Sequence, residues 1–225
     1  LRELGRLTAE FEVDAFLPVY AAWDIGVADF MSIWIIQPGS DGKFYFLDNI
    51  TANGLTLDWY IAEIHKREAR NGYHIRDCLL PHDCENRVPG STSFLASLER
   101  AGFSCLRIPC TRDRWASIDA ARRLLRHAVI HARCSEKTNV EGIKEGYLSG
   151  VSALSNYKTA PPGANGTRKT EPLHDVCSHA ADALRTFSEA HEAGYISKQL
   201  GWRQDEVEER PSPYKGLAKG TDILW

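Results

Sequence analysis

The spacing of apolar residues changes abruptly at Thr56, and this change constrains the fold more than any other feature of the sequence. Before it, three strand-like segments follow one another with short turns between them, at Val19–Trp23, Met31–Ile36 and Lys43–Ile50. Segments joined so closely predict a three-stranded antiparallel meander. After it, apolar residues recur at helical spacing, with Thr56 suited to cap the helix and Gly72 to end it. The helix therefore predicts a crossover to a further strand.

Strands and helices alternate through the rest of the chain. The predicted strands are Ile75–Leu80, Phe103–Ile108 and Val129–Ala132. The predicted helices are Ser93–Ala101, Trp115–His127, Val140–Leu148 and a last helix from Pro172 to about Ala193. Between the last two helices, Ser155–Thr170 is rich in Gly and Pro and predicts a hairpin tip or a mobile loop. Because helices connect parallel strands, the fold class is α/β: a mixed sheet of an antiparallel meander plus parallel strands, with helices on both faces.

The composition is that of a globular protein. Hydrophobic residues make up 43% and charged residues 25% of the 225 residues, which excludes wholesale disorder and a coiled coil. No apolar run approaches the roughly 18 residues of a membrane span, so we expect no membrane partner. Six cysteines without a C-x-x-C pair predict free thiols in a reducing, intracellular compartment. The net charge of −3 neither demands nor excludes nucleic acid.

Three aspartates occupy positions where chemistry is expected. Asp24 ends the first predicted strand, Asp83 follows the fourth, and Asp182 lies on the last predicted helix. A lone aspartate after a strand is commonly a turn or cap residue, so the argument depends on the three together. Converging carboxylates repel one another, and bound divalent cations relieve that repulsion. Two Mg²⁺ or Mn²⁺ ions held in this way can support hydrolysis of a phosphodiester, which predicts a nucleic-acid-cutting site.

The last predicted helix carries further candidate ligands. Asp175, His179 and Asp182 are spaced by four and then three residues, so the pattern predicts that all three project from one helix face. The alternative is that Asp175 is a first-turn acid favoured by the helix dipole and that His179 is a surface residue. Small residues around Asp182 indicate close packing there: Ala180, Ala181 and Ala183. Asp29, five residues past Asp24, is either an outer ligand or a turn residue.

Basic residues concentrate between Arg107 and Arg133. Seven arginines and two aspartates there give a formal balance of +5. They fit either contact with a phosphate backbone or a solvated helix face. The basic loop at Gly163–Thr170 reads GANGTRKT, which lacks the glycine that a nucleotide-binding P-loop has before its lysine. The chain therefore carries no recognisable ATP-binding motif.

Three segments together resemble a known family. They are WDIGVADFMSIWI at Trp23–Ile35, LLPHDCENR at Leu79–Arg87 and EPLHDVCSHAADALRTF at Glu171–Phe187. With the element order, they make Val19–Ala193 similar to the C-terminal nuclease domain of the large terminase subunit of tailed bacteriophages, an RNase H-like domain. The third segment is the most specific, because His-Asp, Ser-His and Asp-Ala-Leu-Arg steps on one helix are typical of these nucleases.

The resemblance implies an activity and a site. It implies a metal-dependent endonuclease that cuts concatemeric double-stranded viral DNA during genome packaging, with Mg²⁺ or Mn²⁺, in two copies, as cofactor. By position, Asp24, Asp83 and Asp182 would be the catalytic, metal-binding acids. Auxiliary metal ligands would be Asp29, Asp175 and His179. Because related nucleases assign the third acid differently within this helix, Asp175 remains an alternative to Asp182 as the main ligand.

The resemblance also implies partners and domain bounds. Residues 1–18 would be a linker from a missing N-terminal packaging ATPase domain, residues 19–195 the nuclease domain and residues 196–225 a flexible polar tail. A chain that begins at Leu1 agrees with that expectation. The expected partners are double-stranded DNA, the portal and the small terminase subunit, in the host cytoplasm. Two alternatives remain open: a structure-selective resolvase or transposase-type nuclease, and a non-catalytic module that docks on DNA or the portal.

Overall fold

A computed structural model describes residues 7–8, 11–26, 30–85, 92–111, 113–138, 148–160 and 171–196 of the chain. The strands are β1 Leu7–Thr8, β2 Val19–Asp24, β3 Phe30–Pro38, β4 Phe44–Asn53, β5 Ile75–Leu80, β6 Cys105–Arg107 and β7 Ala128–His131. The helices are α1 Leu57–Asn71, α2 Phe94–Arg100, α3 Arg114–Leu125, α4 Gly150–Asn156 and α5 Ser178–Glu192, and a 3₁₀ turn spans Ala132–Ser135.

The strands form one mixed sheet in the order β1-β7-β4-β3-β2-β5-β6. Strands β2, β3 and β4 pair antiparallel as the predicted meander. Strand β5 pairs parallel to β2 and β6 parallel to β5, while β7 pairs parallel to β4 on the other side. The crossover after β4 therefore returns the chain to the far edge of β2, and the predicted fold class is confirmed.

Local sequence explains where the first helix begins and ends. The Thr56 side chain accepts a hydrogen bond from the backbone N–H of Trp59, which satisfies one of the free donors of the first turn. At the other end, Gly72 adopts a left-handed conformation with φ of 72° and donates to the carbonyl of Glu68. Both ends lie where the sequence predicts them.

The two faces of the sheet bury separate apolar clusters because strand side chains alternate. Ala22 and Trp34 pack on the side covered by α3, α4 and α5, whereas Trp23 and Ile33 pack on the side covered by α1 and α2. Helix α5 is fixed on its face by the Trp34 indole, whose Nε1 donates to the Ala180 carbonyl at 2.8 Å. The sequence prediction of helices on both faces is therefore confirmed.

The segment before α5 differs from the sequence prediction. Pro172 does not open the helix: it forms an isolated antiparallel bridge with Thr159. The helix begins only at Ser178, after a turn that places Asp175 outside it. Proline is tolerated in the first turn of a helix. Here the bridge to Thr159 holds the backbone around Pro172 extended, so the helix cannot begin there.

Helix α4 was not predicted, and the loop predicted from Ser155 onwards was too long. Ser155 and Asn156 are the last residues of this helix, in which Ser149 is the N-cap. At Gly150, a Cβ atom would lie 2.4 Å from the Trp34 ring, so only glycine allows the helix to approach the sheet this closely. The predicted Val140–Leu148 helix lies outside the described residues, except for Leu148. Among the described residues, no helix combines the length and apolarity that a membrane crossing requires.

Candidate active site

Two of the three predicted acids meet at one edge of the sheet because of strand order. Asp24 is the last residue of β2, and Asp83 follows three residues after the end of β5. These strands are parallel neighbours, with Ala22 opposite Leu79, so their carboxyl ends lie side by side. Asp83 is exposed on the turn that follows β5. The candidate site is therefore at the carboxyl edge of β2 and β5.

His179 connects the last helix to this edge. Its Nδ1 lies 2.9 Å from Oδ2 of Asp24, and an ionised carboxylate can only accept, so Nδ1–H is the donor. The His179 side chain is 6% exposed, and that of Asp24 is 23% exposed. Rings of Phe30 and His174 lie against the imidazole, at centroid distances of 5.7 and 5.5 Å. These contacts hold His179 as the partner of Asp24.

The charges of the other two acids reach Asp24. Burial raises the pKa of Asp24 above its ordinary value, and the hydrogen bond from His179 opposes that shift. The negative charges of Asp182 and Asp83 raise the pKa of Asp24 further. Asp83 and Asp182 thus both lie within electrostatic range of Asp24.

The convergence stops short of a ready coordination shell. Within the described parts of the chain, no three or more His, Cys, Asp or Glu side chains are arranged to hold a metal ion. Their chemistry nevertheless suits Mg²⁺ or Mn²⁺, which prefer carboxylate oxygens. Burial is the main cause of the raised pKa of Asp24, and the charges of Asp182 and Asp83 add to it.

Asp182 projects from α5 and is held by a neighbour on the same helix. Its Oδ1 accepts a hydrogen bond from Nη1 of Arg185 at 2.6 Å. The Arg185 Nε in turn donates to Oγ of Ser117 on α3 at 2.8 Å. Ala180, Ala181 and Ala183 are all buried, as the sequence indicates. Asp182 is therefore a partly buried acid at a closely packed helix junction.

Asp175 does not share the helix face of His179 and Asp182, so that part of the prediction was wrong. It lies in the turn before α5, where its Oδ1 accepts from the backbone N–H of Cys177 at 2.9 Å. Aspartate favours such turns through this same local hydrogen bond, and that preference outweighs the helical spacing. Asp29 lies outside the described residues.

Three of the seven arginines of the basic stretch form ion pairs. Arg107 pairs with Glu85, Arg122 with Asp119 and Arg123 with Glu192. Arg112 lies outside the described residues. Arg114, at the start of α3, is exposed and has no ion-pair partner among the described residues. The pairing favours the solvated-face interpretation for these three arginines.

Sequence reasoning missed the neighbours of the acids. The signal for Arg185 was present, because it lies three residues after Asp182 on a predicted helix and such pairs face each other. No spacing pointed to Ser117, Phe30 or Tyr157, because tertiary packing brings them to the site. The pKa of Tyr157 is raised by its burial and by the charge of Asp182, which places this tyrosine near the same edge.

Comparison with known proteins gives the fold. No family model and no curated protein matches the chain. Among solved structures, the nuclease domain of the P22 large terminase is 16% identical and matches over 91% of this chain and 93% of that one, with a TM-score of 0.56. The chain has the fold of a large-terminase nuclease domain.

The large terminase of a thermophilic bacteriophage, solved in complex with ADP, gives a similar match. It is 14% identical over 81% of this chain, with a TM-score of 0.58. This chain spans only 42% of that longer polypeptide. The terminase-like, RNase H-like fold expected from the sequence is therefore confirmed. The match does not extend to the remaining part of the longer polypeptide.

Proposed function

We propose that this chain is a divalent-metal-dependent endonuclease that cuts double-stranded viral DNA during genome packaging. One observation supports this most strongly: Asp83 follows the parallel neighbour of the strand that Asp24 ends, and helix α5, which carries Asp182, reaches Asp24 through His179. The fold shared with terminase nuclease domains agrees with it. Three repelling acids reduce stability unless a cation offsets them, so their convergence is best explained by a metal-dependent function.

Three side chains would hold the cations. Asp24, Asp83 and Asp182 would supply the oxygen ligands, with Asp29 and Asp175 as proposed auxiliaries. Bound Mg²⁺ or Mn²⁺, in two copies, would activate a water and stabilise the leaving oxygen of the phosphodiester. His179 would orient Asp24 through Nδ1, an outer role that differs from direct metal ligation. Asp83 is exposed on the turn after β5, so its carboxylate is accessible to a cation.

The partners of the whole protein follow from the same likeness. The large terminase of the thermophilic bacteriophage was solved with ADP and with ATP-gamma-S, so that longer protein binds nucleotides. We propose that residues 1–18 link residues 19–195 to an ATPase domain of this kind. The portal, the small terminase subunit and a host cytoplasmic location complete the proposal, with residues 196–225 as a tail that docks on one of these partners.

The test is nicking of a supercoiled plasmid by the 225-residue chain with Mn²⁺. Asp24→Asn and Asp182→Asn should each reduce the rate by at least about 100-fold, beyond what loss of an outer partner of a metal costs. Asp119→Asn is the matched control: it removes an exposed acid of α3 that pairs with Arg122. Unchanged cleavage in the Asp24 and Asp182 variants would refute the site.

Two further substrates separate the proposal from its alternatives. A four-way junction cut much faster than the plasmid would indicate a structure-selective resolvase. Metal binding without cleavage of any DNA would indicate a docking module. Because phosphate contacts carry no base information, the proposed nuclease should show little sequence preference.

A further inference from the structure

Arg185 links the candidate site to helix α3. Its guanidinium reaches three side chains: Nη1 lies 2.6 Å from Oδ1 of Asp182, Nε lies 2.8 Å from Oγ of Ser117, and Nη2 lies 3.8 Å from Oε1 of Glu189. The same Glu189 oxygen accepts from the Ser117 hydroxyl at 2.6 Å. Four side chains of two helices therefore form one hydrogen-bonded network.

The network is buried at Ser117 and Arg185 and partly exposed to solvent at Asp182. Ser117 is buried and the Arg185 side chain is only 14% exposed, whereas the Asp182 side chain is 32% exposed. Oδ1 of Asp182 is occupied by Arg185. Within the described residues, Oδ2 of Asp182 has no hydrogen-bond partner. One oxygen of this carboxylate is therefore fixed while the other is available.

A planar guanidinium suits this arrangement and an ammonium does not. Arginine presents donors in fixed directions, so Nε and Nη1 can hold Ser117 and Asp182 at the same time. The geometry of the carboxylate then depends on α3 as well as on α5. Such outer hydrogen bonds orient ligating carboxylates and fix their position.

We propose that Arg185 is a positioning residue that fixes Asp182 so that its second oxygen is presented to a divalent cation. This inference rests on the proposed function of the site. Arg185 acts through Asp182 and does not itself contact the DNA or the cation. Ser117 and Glu189 are the support that keeps the guanidinium in place.

The test compares Mn²⁺ binding with DNA cleavage in Arg185→Lys, using the full 225-residue chain. Free Mn²⁺ is followed by electron paramagnetic resonance, which measures affinity without turnover. Lysine keeps the charge but cannot hold both Ser117 and Asp182, so Mn²⁺ affinity should fall about 10- to 100-fold. In plasmid nicking, kcat should fall with it while KM for DNA changes little.

Arg123→Lys is the matched control. Arg123 also joins α3 to α5, through Glu192, but at the far ends of both helices. Its substitution should leave Mn²⁺ affinity and nicking unchanged. Ser117→Ala, which retains both Arg185 and Asp182, should weaken Mn²⁺ binding by less than Arg185→Lys does. Thermal unfolding of each variant shows that the fold is retained.

Three results are distinguishable. Unchanged or tighter Mn²⁺ binding in Arg185→Lys, with Asp182→Asn still inactive, would overturn the positioning role and leave the nuclease proposal intact. An equal effect of Arg123→Lys would also overturn it, because the role would then be general helix packing. A parent chain that neither binds Mn²⁺ nor nicks DNA would overturn the proposed function and this inference together.

Discussion

Asp24 and Asp48 both belong to strands of the sheet, on opposite faces, and their surroundings differ in charge. Asp48, on β4, is 2% exposed beneath α1, where Arg67 pairs with it and Asn71 donates to it at 3.3 Å. Burial raises the pKa of Asp48, and the positive charges of Arg67 and Arg133 oppose the shift. Burial also raises the pKa of Asp24, but two further carboxylates act in the same direction.

The difference separates a structural acid from a candidate catalytic one. Asp48 is neutralised from within the protein, by cations that α1 and the turn after β7 supply. Asp24 has a histidine as its partner and faces the repulsion of Asp83 and Asp182. The protein supplies positive charge to Asp48 and further negative charge to Asp24, which agrees with the external cation proposed for Asp24. Clusters of this kind concentrate at functional sites.

Removing the cation beside Asp48 should have the largest effect on stability. Arg67→Met leaves a buried carboxylate without its main partner, so the free energy of unfolding should fall by about 3–5 kcal/mol. Urea unfolding measures this. Arg122→Met is the control, because the pair between Arg122 and Asp119 is exposed and its loss should cost at most about 1 kcal/mol. Equal losses in the two variants would remove the structural role of Asp48.

A double substitution sharpens that result. Adding Asp48→Leu to Arg67→Met removes the stranded charge, so part of the lost stability should return. A further loss would mean that Asp48 stabilises the fold through its contacts with Asn49 and Asn71 and not through its charge. In that case Asp48 and Asp24 would differ in their hydrogen bonds and not in how the protein compensates their charges.

Asp24→Asn should raise the free energy of unfolding, whereas Arg67→Met lowers it, and the change should be smaller. The amide keeps an acceptor for His179 but removes the charge that Asp83 and Asp182 repel, so in metal-free buffer the free energy of unfolding should rise by about 1 kcal/mol. Urea unfolding with EDTA present is the measurement, and Asp119→Asn should show no gain. A clear loss of stability in Asp24→Asn would show that the protein already compensates this charge.

The sequence predicted the frame of the site better than its details. Asp24 and Asp83 could be placed at strand ends because β2 and β5 are short apolar runs that stop at polar residues. The parallel direction of these strands then follows from the α1 crossover, which the Thr56 cap and Gly72 stop make visible. The crossover predicts that β5 runs parallel to β4 and hence to β2, but the position of β5 beside β2 was not predicted.

The detail around α5 was not accessible in the same way. Asp175 satisfies helical spacing, yet its own side chain favours a turn, and the bridge between Thr159 and Pro172 delays the helix. The bridge closes the segment predicted as a hairpin tip or mobile loop, but the sequence did not show which residues would pair. Ser117 comes to Arg185 through the packing of α3 on α5.

The smallest predicted effect is a weakening of DNA binding. It depends on which basic residues near Asp48 and near the candidate site are left without an acidic partner. The basic groups near Asp48, Arg67 and Arg133, act on its carboxylate. Arg114, in contrast, has no ion-pair partner among the described residues. Arg114 lies three residues before Ser117 on α3, and Ser117 accepts a hydrogen bond from Arg185, the partner of Asp182, so Arg114 is near the site. We therefore expect Arg114 to contact a phosphate of the bound DNA.

Arg114→Ala should weaken DNA binding uniformly across sequences and reduce the slope of log affinity against log salt by about 1. Fluorescence anisotropy at several salt concentrations measures this, with Ca²⁺ in place of Mn²⁺ to prevent cutting. Arg122→Ala is matched in charge and helix, but its guanidinium already pairs with Asp119 at 3.0 Å. If both variants lower the slope equally, Arg114 has no special role in DNA binding. The arginines of α3 would then attract DNA whether or not they pair with an acidic residue.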